Sequence, residues 1–113
     1  MIRLNEDDII QINRIVCSIQ KEEYNLLKPE ELSSALSNYD SYYDTDEEII
    51  SSIFRALIIN HCFSNGNKRT ANIFLLMVKP PKCSDKILED LTFRIASEGG
   101  SKIPVQEIAR ILY

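Results

Sequence analysis

Apolar residues recur along most of this chain at the spacing of helices packed on one side. Between Glu6 and Gln20 they fall at Ile9, Ile12, Ile15, Val16 and Ile19, an amphipathic helical period. Pro29 followed by Glu30 and Glu31 suits the first turn of a short helix reaching about Leu36, because proline needs no N–H partner there. Thr45 followed by Glu48 is a capping-box pattern that opens a helix from 46 to about 60, with the stripe Ile50, Ile53, Phe54, Leu57 and Ile58. One further turn of that face delivers His61. Gly66 interrupts the pattern, and a new helix is predicted from about Asn67. Its body, residues 71–78, is apolar almost all round, which predicts a place in the centre of a bundle. Pro80 and Pro81 stop it. Ile87, Leu88, Leu91 and Ile95 mark a helix over 85–97, with Gly99 and Gly100 as its stop. Pro104 opens a last helix with Val105, Ile108, Ala109 and Leu112 on its packed face. Only residues 37–44, polar and rich in tyrosine, lack a helical period and read as an exposed loop or short hairpin.

This is an all-α pattern with short connections, a helical bundle with one small irregular arm. A chain of 113 residues, 44% of them hydrophobic and 27% charged, is expected to be one domain over 1–113 with a single core. The formal net charge of −4 gives no support to a nucleic acid or a membrane surface as partner. Cys17, Cys62 and Cys83 are isolated, and one histidine is too few to complete a metal site with them; free thiols in a reducing, cytoplasmic setting are expected. No leader segment is visible at the start, and the apolar run 73–78 is far too short to span a bilayer.

The chemistry concentrates in residues 61–70, His-Cys-Phe-Ser-Asn-Gly-Asn-Lys-Arg-Thr. A turn at Gly66 leading into a helix leaves backbone N–H groups free, and such an N-terminus binds anions, phosphate above all. Lys68 and Arg69 add positive charge where a bare helix would favour acids, an arrangement that an anion would relieve. Thr70 adds a hydroxyl. His61 is the one side chain whose ordinary titration range suits a general base near neutrality. Taken singly, each feature has a plain alternative: a capping histidine, a solvated Lys-Arg pair, an ordinary glycine turn. Phe63 belongs to the core in either reading.

Together these residues resemble the Fic/Doc motif, which runs His, any residue, Phe, any residue, Asp or Glu, Gly or Ala, Asn, Gly or Lys, Arg. His61, Phe63, Gly66, Asn67, Lys68 and Arg69 fit it without a gap. Lys68-Arg69-Thr70-Ala71 is similar to the Doc (death-on-curing) toxin branch, as are residues 88–92 and 108–113. The resemblance implies a compact Fic/Doc-type bundle of six or seven helices, with the arm at 37–44 in the place of the target-docking flap. It implies His61 as the base, and Gly66, Asn67, Lys68 and Arg69 as the holders of the ATP phosphates bridged by Mg²⁺. In the Doc branch the γ-phosphoryl group of ATP passes to a threonine of elongation factor Tu, which halts translation; in Fic enzymes AMP is transferred instead. A Doc-like toxin implies an antitoxin acting in trans, its peptide lying in an apolar groove beside the first helix.

Two positions depart from the pattern. Asn65 replaces the acid that helps to hold Mg²⁺, so one negative charge is missing; Asp40, Asp44 or Asp46 could substitute only if the arm folds over the site. Asn72 stands where AMP-transferring members carry a second arginine, and Doc lacks that arginine too. The inhibitory pattern of many Fic enzymes is absent, since Glu98-Gly99 is its only candidate ending and position 94 is Arg94. Three functions remain open: a Doc-like phosphotransferase, an AMP-transferring enzyme, and a catalytically silent nucleotide- or protein-binding module.

Overall fold

The computed structural model describes residues 2–97 and 102–113. Among them the helices are α1 (Glu6–Gln20), α2 (Pro29–Leu36), α3 (Asp46–Ile59), α4 (Asn67–Val78), α5 (Asp85–Ser97) and α6 (Val105–Leu112). The all-α expectation holds. The glycine stop at 99–100 and the Glu98-Gly99 pair lie outside the described residues.

The starts of the helices follow from local chemistry. Asn5 accepts from the Asp8 N–H at 2.9 Å, and Asp8 accepts from the Asn5 N–H at 2.9 Å, a reciprocal cap on α1. Thr45 accepts from the Glu48 N–H at 3.2 Å to cap α3, although the Glu48 carboxylate accepts from the Thr45 hydroxyl rather than from its backbone. Ser84 accepts from the Ile87 N–H to open α5.

The centre of the bundle is α3, not α4. Eight of its residues are buried, and it packs against α2, α4, α5 and α6. Apolar composition all round had pointed to α4, but α4 buries only Thr70, Ala71, Phe74 and Leu75 and exposes Leu76 and Met77. The packed side of α1 is also narrower than its isoleucines suggest. Ile15 and Ile19 are exposed, while Asn13 is fully buried.

Residues 37–44 form no hairpin. A single turn of 3₁₀ helix, Ser37–Asp40, continues α2 and is followed by bends. Tyr39 is buried, its hydroxyl accepting from the Leu4 N–H at 2.9 Å, and Arg3 stacks on its ring and pairs with Asp40. The arm is therefore fastened to the start of α1. Asp44 and Asp46 stand at the start of α3, and 14 helical residues at about 1.5 Å each separate them from His61 beyond its end. Neither they nor Asp40 can supply the carboxylate that Asn65 lacks. The segment that does reach the motif is residues 22–28: Leu27 and Lys28 donate to the Cys62 carbonyl, Ser64 donates to the Asn25 carbonyl, and Leu26 makes an antiparallel bridge with Phe63.

Candidate functional site

Where α3 ends, Asn60 donates from its amide to the Glu31 carbonyl at 3.1 Å, fixing the exit of the chain toward α2. His61 then takes a left-handed conformation, φ 49°, which histidine tolerates better than most residues. That reversal places its exposed side chain outside the bundle, while Cys62 and Phe63 turn into the core.

The loop is clamped by its own motif. Asn67 accepts from the Phe63 N–H at 3.0 Å and donates to the Phe63 carbonyl at 2.8 Å. Its side chain is thereby committed to loop geometry, so the expected phosphate contact at Asn67 falls to its backbone N–H alone. Thr70 is likewise withdrawn from the surface: it is buried and accepts from Asn13 at 3.1 Å. Asn13, on α1, also donates to the Asn65 carbonyl at 2.8 Å and accepts weakly from the Cys17 thiol at 3.5 Å. Sequence reasoning missed Asn13. Its one signal was a polar residue four positions after Ile9, on the packed face.

Gly66 begins α4 with φ 74°, and it offers no side chain to cap the helix. An added Cβ would stand 2.8 Å from Val16 Cγ1 and 3.2 Å from Asn13 Nδ2, so α1 presses directly on the turn. The N–H groups of Asn67, Lys68 and Arg69 precede the first intrahelical bond, Thr70 N–H to Gly66 carbonyl, and find no acceptor among the described residues. No acid occupies this first turn, whereas the other five helices each carry one. The exposed Lys68 and Arg69 make no ion pair within 4 Å among the described residues. Uncapped amides, a positive dipole end and two exposed cations together suit an anion.

His61, Ser64, Asn65, Gly66, Lys68 and Arg69 line one open groove of about 380 Å³, walled on the α1 side by Val16, Gln20 and Glu22. The expected site residues thus converge, with Phe63 beneath as core. Asn65 is held by its amide, which donates to the Glu23 carbonyl at 3.0 Å. An aspartate could not make that bond. Among the described residues no cluster of three or more His, Cys, Asp or Glu side chains could hold a metal. Glu22 and Asn65 both line the groove, and each side chain carries an oxygen of the hard type that a divalent ion prefers. That set fits a divalent ion carried mainly by nucleotide phosphates with one protein carboxylate.

No helix among the described residues is long and apolar enough to cross a membrane. No curated protein matches the chain. The model of the Fic/DOC family matches residues 3–78, from the start of the bundle through the whole of α4. With the motif loop, its glycine turn and its phosphate-ready helix all inside that match, this chain belongs to the Fic/DOC family, whose members typically use ATP and a metal ion to transfer nucleotide-derived groups to proteins.

Proposed function

We propose that this protein is a Doc-like phosphotransferase, passing the γ-phosphoryl group of ATP to a serine or threonine hydroxyl of a protein. The observation that carries this reading is the shared groove: His61 faces the same space as the uncapped start of α4 with Lys68 and Arg69. The free N–H groups of residues 67–69 and the two cations hold the phosphates. A ring nitrogen of His61 takes the proton of the incoming hydroxyl, whose oxygen attacks the γ-phosphorus. The bond from that phosphorus to the β,γ-bridging oxygen breaks, and ADP leaves. Glu22 and Asn65 line this groove and would hold Mg²⁺ together with the nucleotide phosphates, and the ion would supply charge neutralisation there. Lys68 in place of glycine and Asn72 in place of a second arginine favour phosphoryl over AMP transfer.

By family resemblance the target is a protein of the translation machinery, elongation factor Tu, and the inhibitor is an antitoxin in trans. Ile15 and Ile19, exposed one turn apart on α1, provide an apolar ridge for an antitoxin segment. A second reading, a nucleotide-binding module without transfer, is favoured by Asn65, whose amide serves as a tie to residue 23.

Induction of the chain in cells and labelled ATP added to the lysate test these readings. Growth arrest with label transferred to protein from γ-labelled ATP, both lost in His61→Ala, is the expected result. Label from α-labelled ATP would replace the phosphotransferase with an AMP-transferring enzyme. Nucleotide binding with no transfer and no arrest would leave the silent module.

A further inference from the structure

Residues 22–28 cross the motif loop as a strap, and the hydrogen bonds that tie the strap down all use its backbone. Glu22 donates to the Cys17 carbonyl at 2.9 Å, behind a left-handed Lys21 of φ 57°. The Glu23 carbonyl accepts from Asn65 Nδ2 at 3.0 Å and from the Ser64 hydroxyl at 3.3 Å. Farther along, the Asn25 carbonyl accepts from the Ser64 N–H, and Leu27 and Lys28 donate to the Cys62 carbonyl. Backbone bonds near solvent open readily when few apolar contacts back them, so the resting place of such a segment depends on the side chain it buries. Of residues 22–25 only Tyr24 is partly buried, packed against the core.

Tyr24 has two partners. Its ring centroid lies 6.1 Å from that of Phe63, with the planes at 46°. The guanidinium carbon of Arg14 stands 4.7 Å from the centroid of the same tyrosine ring, within the range where a cation is attracted to an aromatic face. Arg14 is exposed on α1 and has no carboxylate within 4 Å among the described residues, whose ion pairs are Arg3–Asp40 and Arg94–Glu107. The neighbouring Asn13 donates to the Asn65 carbonyl. One turn of α1 thus holds the motif loop through Asn13 and the strap through Arg14. Those two segments bring Asn65 and Glu22 to the same groove, which neither Arg14 nor Tyr24 lines.

We infer that Tyr24, held by Arg14 and Phe63, is a positioning residue: it seats the strap on the motif loop and so keeps Glu22 at the groove, where its carboxylate would serve the nucleotide-bound Mg²⁺. The inference rests on the proposed nucleotide reading and deepens it, adding two residues that act through Glu22.

Two measurements on the full chain separate the seat from the site. Hydrogen exchange without ligand reads the strap. In Tyr24→Ala the amides of Glu22, Leu27, Lys28 and Ser64 are expected to exchange about tenfold faster, while those of Ile53 and Phe54 in α3 keep their rates. Arg14→Ala, a surface change that spares the core, is expected to give about two- to fivefold, the scale of an exposed cation–π pair, and it decides alone if Tyr24→Ala does not fold. Tyr24→Phe and Arg14→Lys stay near wild type, because one keeps the ring and the other the charge. Calorimetric titration with ATP, with and without Mg²⁺, reads the site. The affinity gained through Mg²⁺ is expected to shrink in Tyr24→Ala as far as it does in Glu22→Gln, and less far in Arg14→Ala. Binding of inorganic tripolyphosphate without Mg²⁺ stays the same in all three, since Lys68 and Arg69 are untouched. Unchanged exchange in the Tyr24→Ala and Arg14→Ala chains overturns the seat. A Mg²⁺ gain that is absent from the wild-type chain, or undiminished in Tyr24→Ala or Glu22→Gln, reduces Tyr24 to a structural role and overturns the inference while ATP binding still stands. A wild-type chain that binds no ATP removes the proposed function and the inference with it.

Discussion

Gly66 carries two requirements at once, and they are separable. Its φ of 74° is a conformation that costs an L-residue about 1–2 kcal/mol. A Cβ there would also press on Val16 Cγ1 at 2.8 Å, and overpacking of this kind costs about 1–3 kcal/mol. Gly66→Ala is therefore expected to lower the urea midpoint markedly. Combined with Val16→Ala it should cost less than the two single changes summed, since the second substitution frees the space but not the backbone. Strict additivity would show that the close approach contributes nothing. The glycine was legible as a turn from its neighbours in the chain. Its second role was not, because α1 lies some fifty residues earlier and only the fold brings it there. Asn67 teaches the same lesson: its place in the motif was plain, but its two bonds to the Phe63 backbone can be seen only once the loop is closed.

At the scale of elements, the starts and lengths of the helices were written in capping residues and apolar spacing, because both are local. Their mutual arrangement was less legible. Apolar content placed α4 at the centre, whereas α3 holds it; composition records how apolar a helix is, not how many neighbours surround it. The union of α1 with the motif loop was hidden for a related reason. It depends on Asn13, a single polar residue on a packed face, which donates to the Asn65 carbonyl and the Thr70 hydroxyl. Asn13→Leu keeps the branching of the side chain but leaves the buried Thr70 hydroxyl without its donor and the part-buried Asn65 carbonyl with one partner fewer, at a total cost of about 1–3 kcal/mol. A fall in melting temperature of roughly 5–15 °C is expected for a domain of this size. Thr70→Val in the same background should recover part of it, since the stranded hydroxyl is then gone. Independent, additive losses in the two variants would break the proposed link between α1 and α4. Nucleotide binding should weaken with the link, because Asn65 and Gly66 sit on the loop it steadies.

For the whole molecule, the distribution of protons matters more than the net charge of −4. Among the described residues, burial raises the thiols of Cys17, Cys62 and Cys83 and the phenols of Tyr39 and Tyr113. Cys62 is pushed furthest, from 9.0 to about 11, by burial first and by the nearby Glu31 carboxylate second. Each group is therefore held neutral by the fold at a pH where the unfolded chain would release its proton. Above the unfolded values, 9.0 for the thiols and 10.0 for the phenols, the native state binds more protons than the unfolded one, so stability falls as pH rises. For Cys62 that loss spans about pH 9 to 11, and below pH 9 its contribution is complete. The consequence reaches the site, because Cys62 lies between His61 and Phe63 and its carbonyl accepts from Leu27 and Lys28. Ionising that thiol would draw water into the joint that holds residues 22–28 to the motif loop. Urea midpoints measured from pH 7.5 to 10.5 are expected to hold steady and then decline above pH 9. Cys62→Ala should be less stable at pH 7.5, from lost packing, but decline less steeply above pH 9. An identical alkaline slope in that variant would assign the decline to the tyrosines and the other thiols, and would leave the motif loop without a part in it.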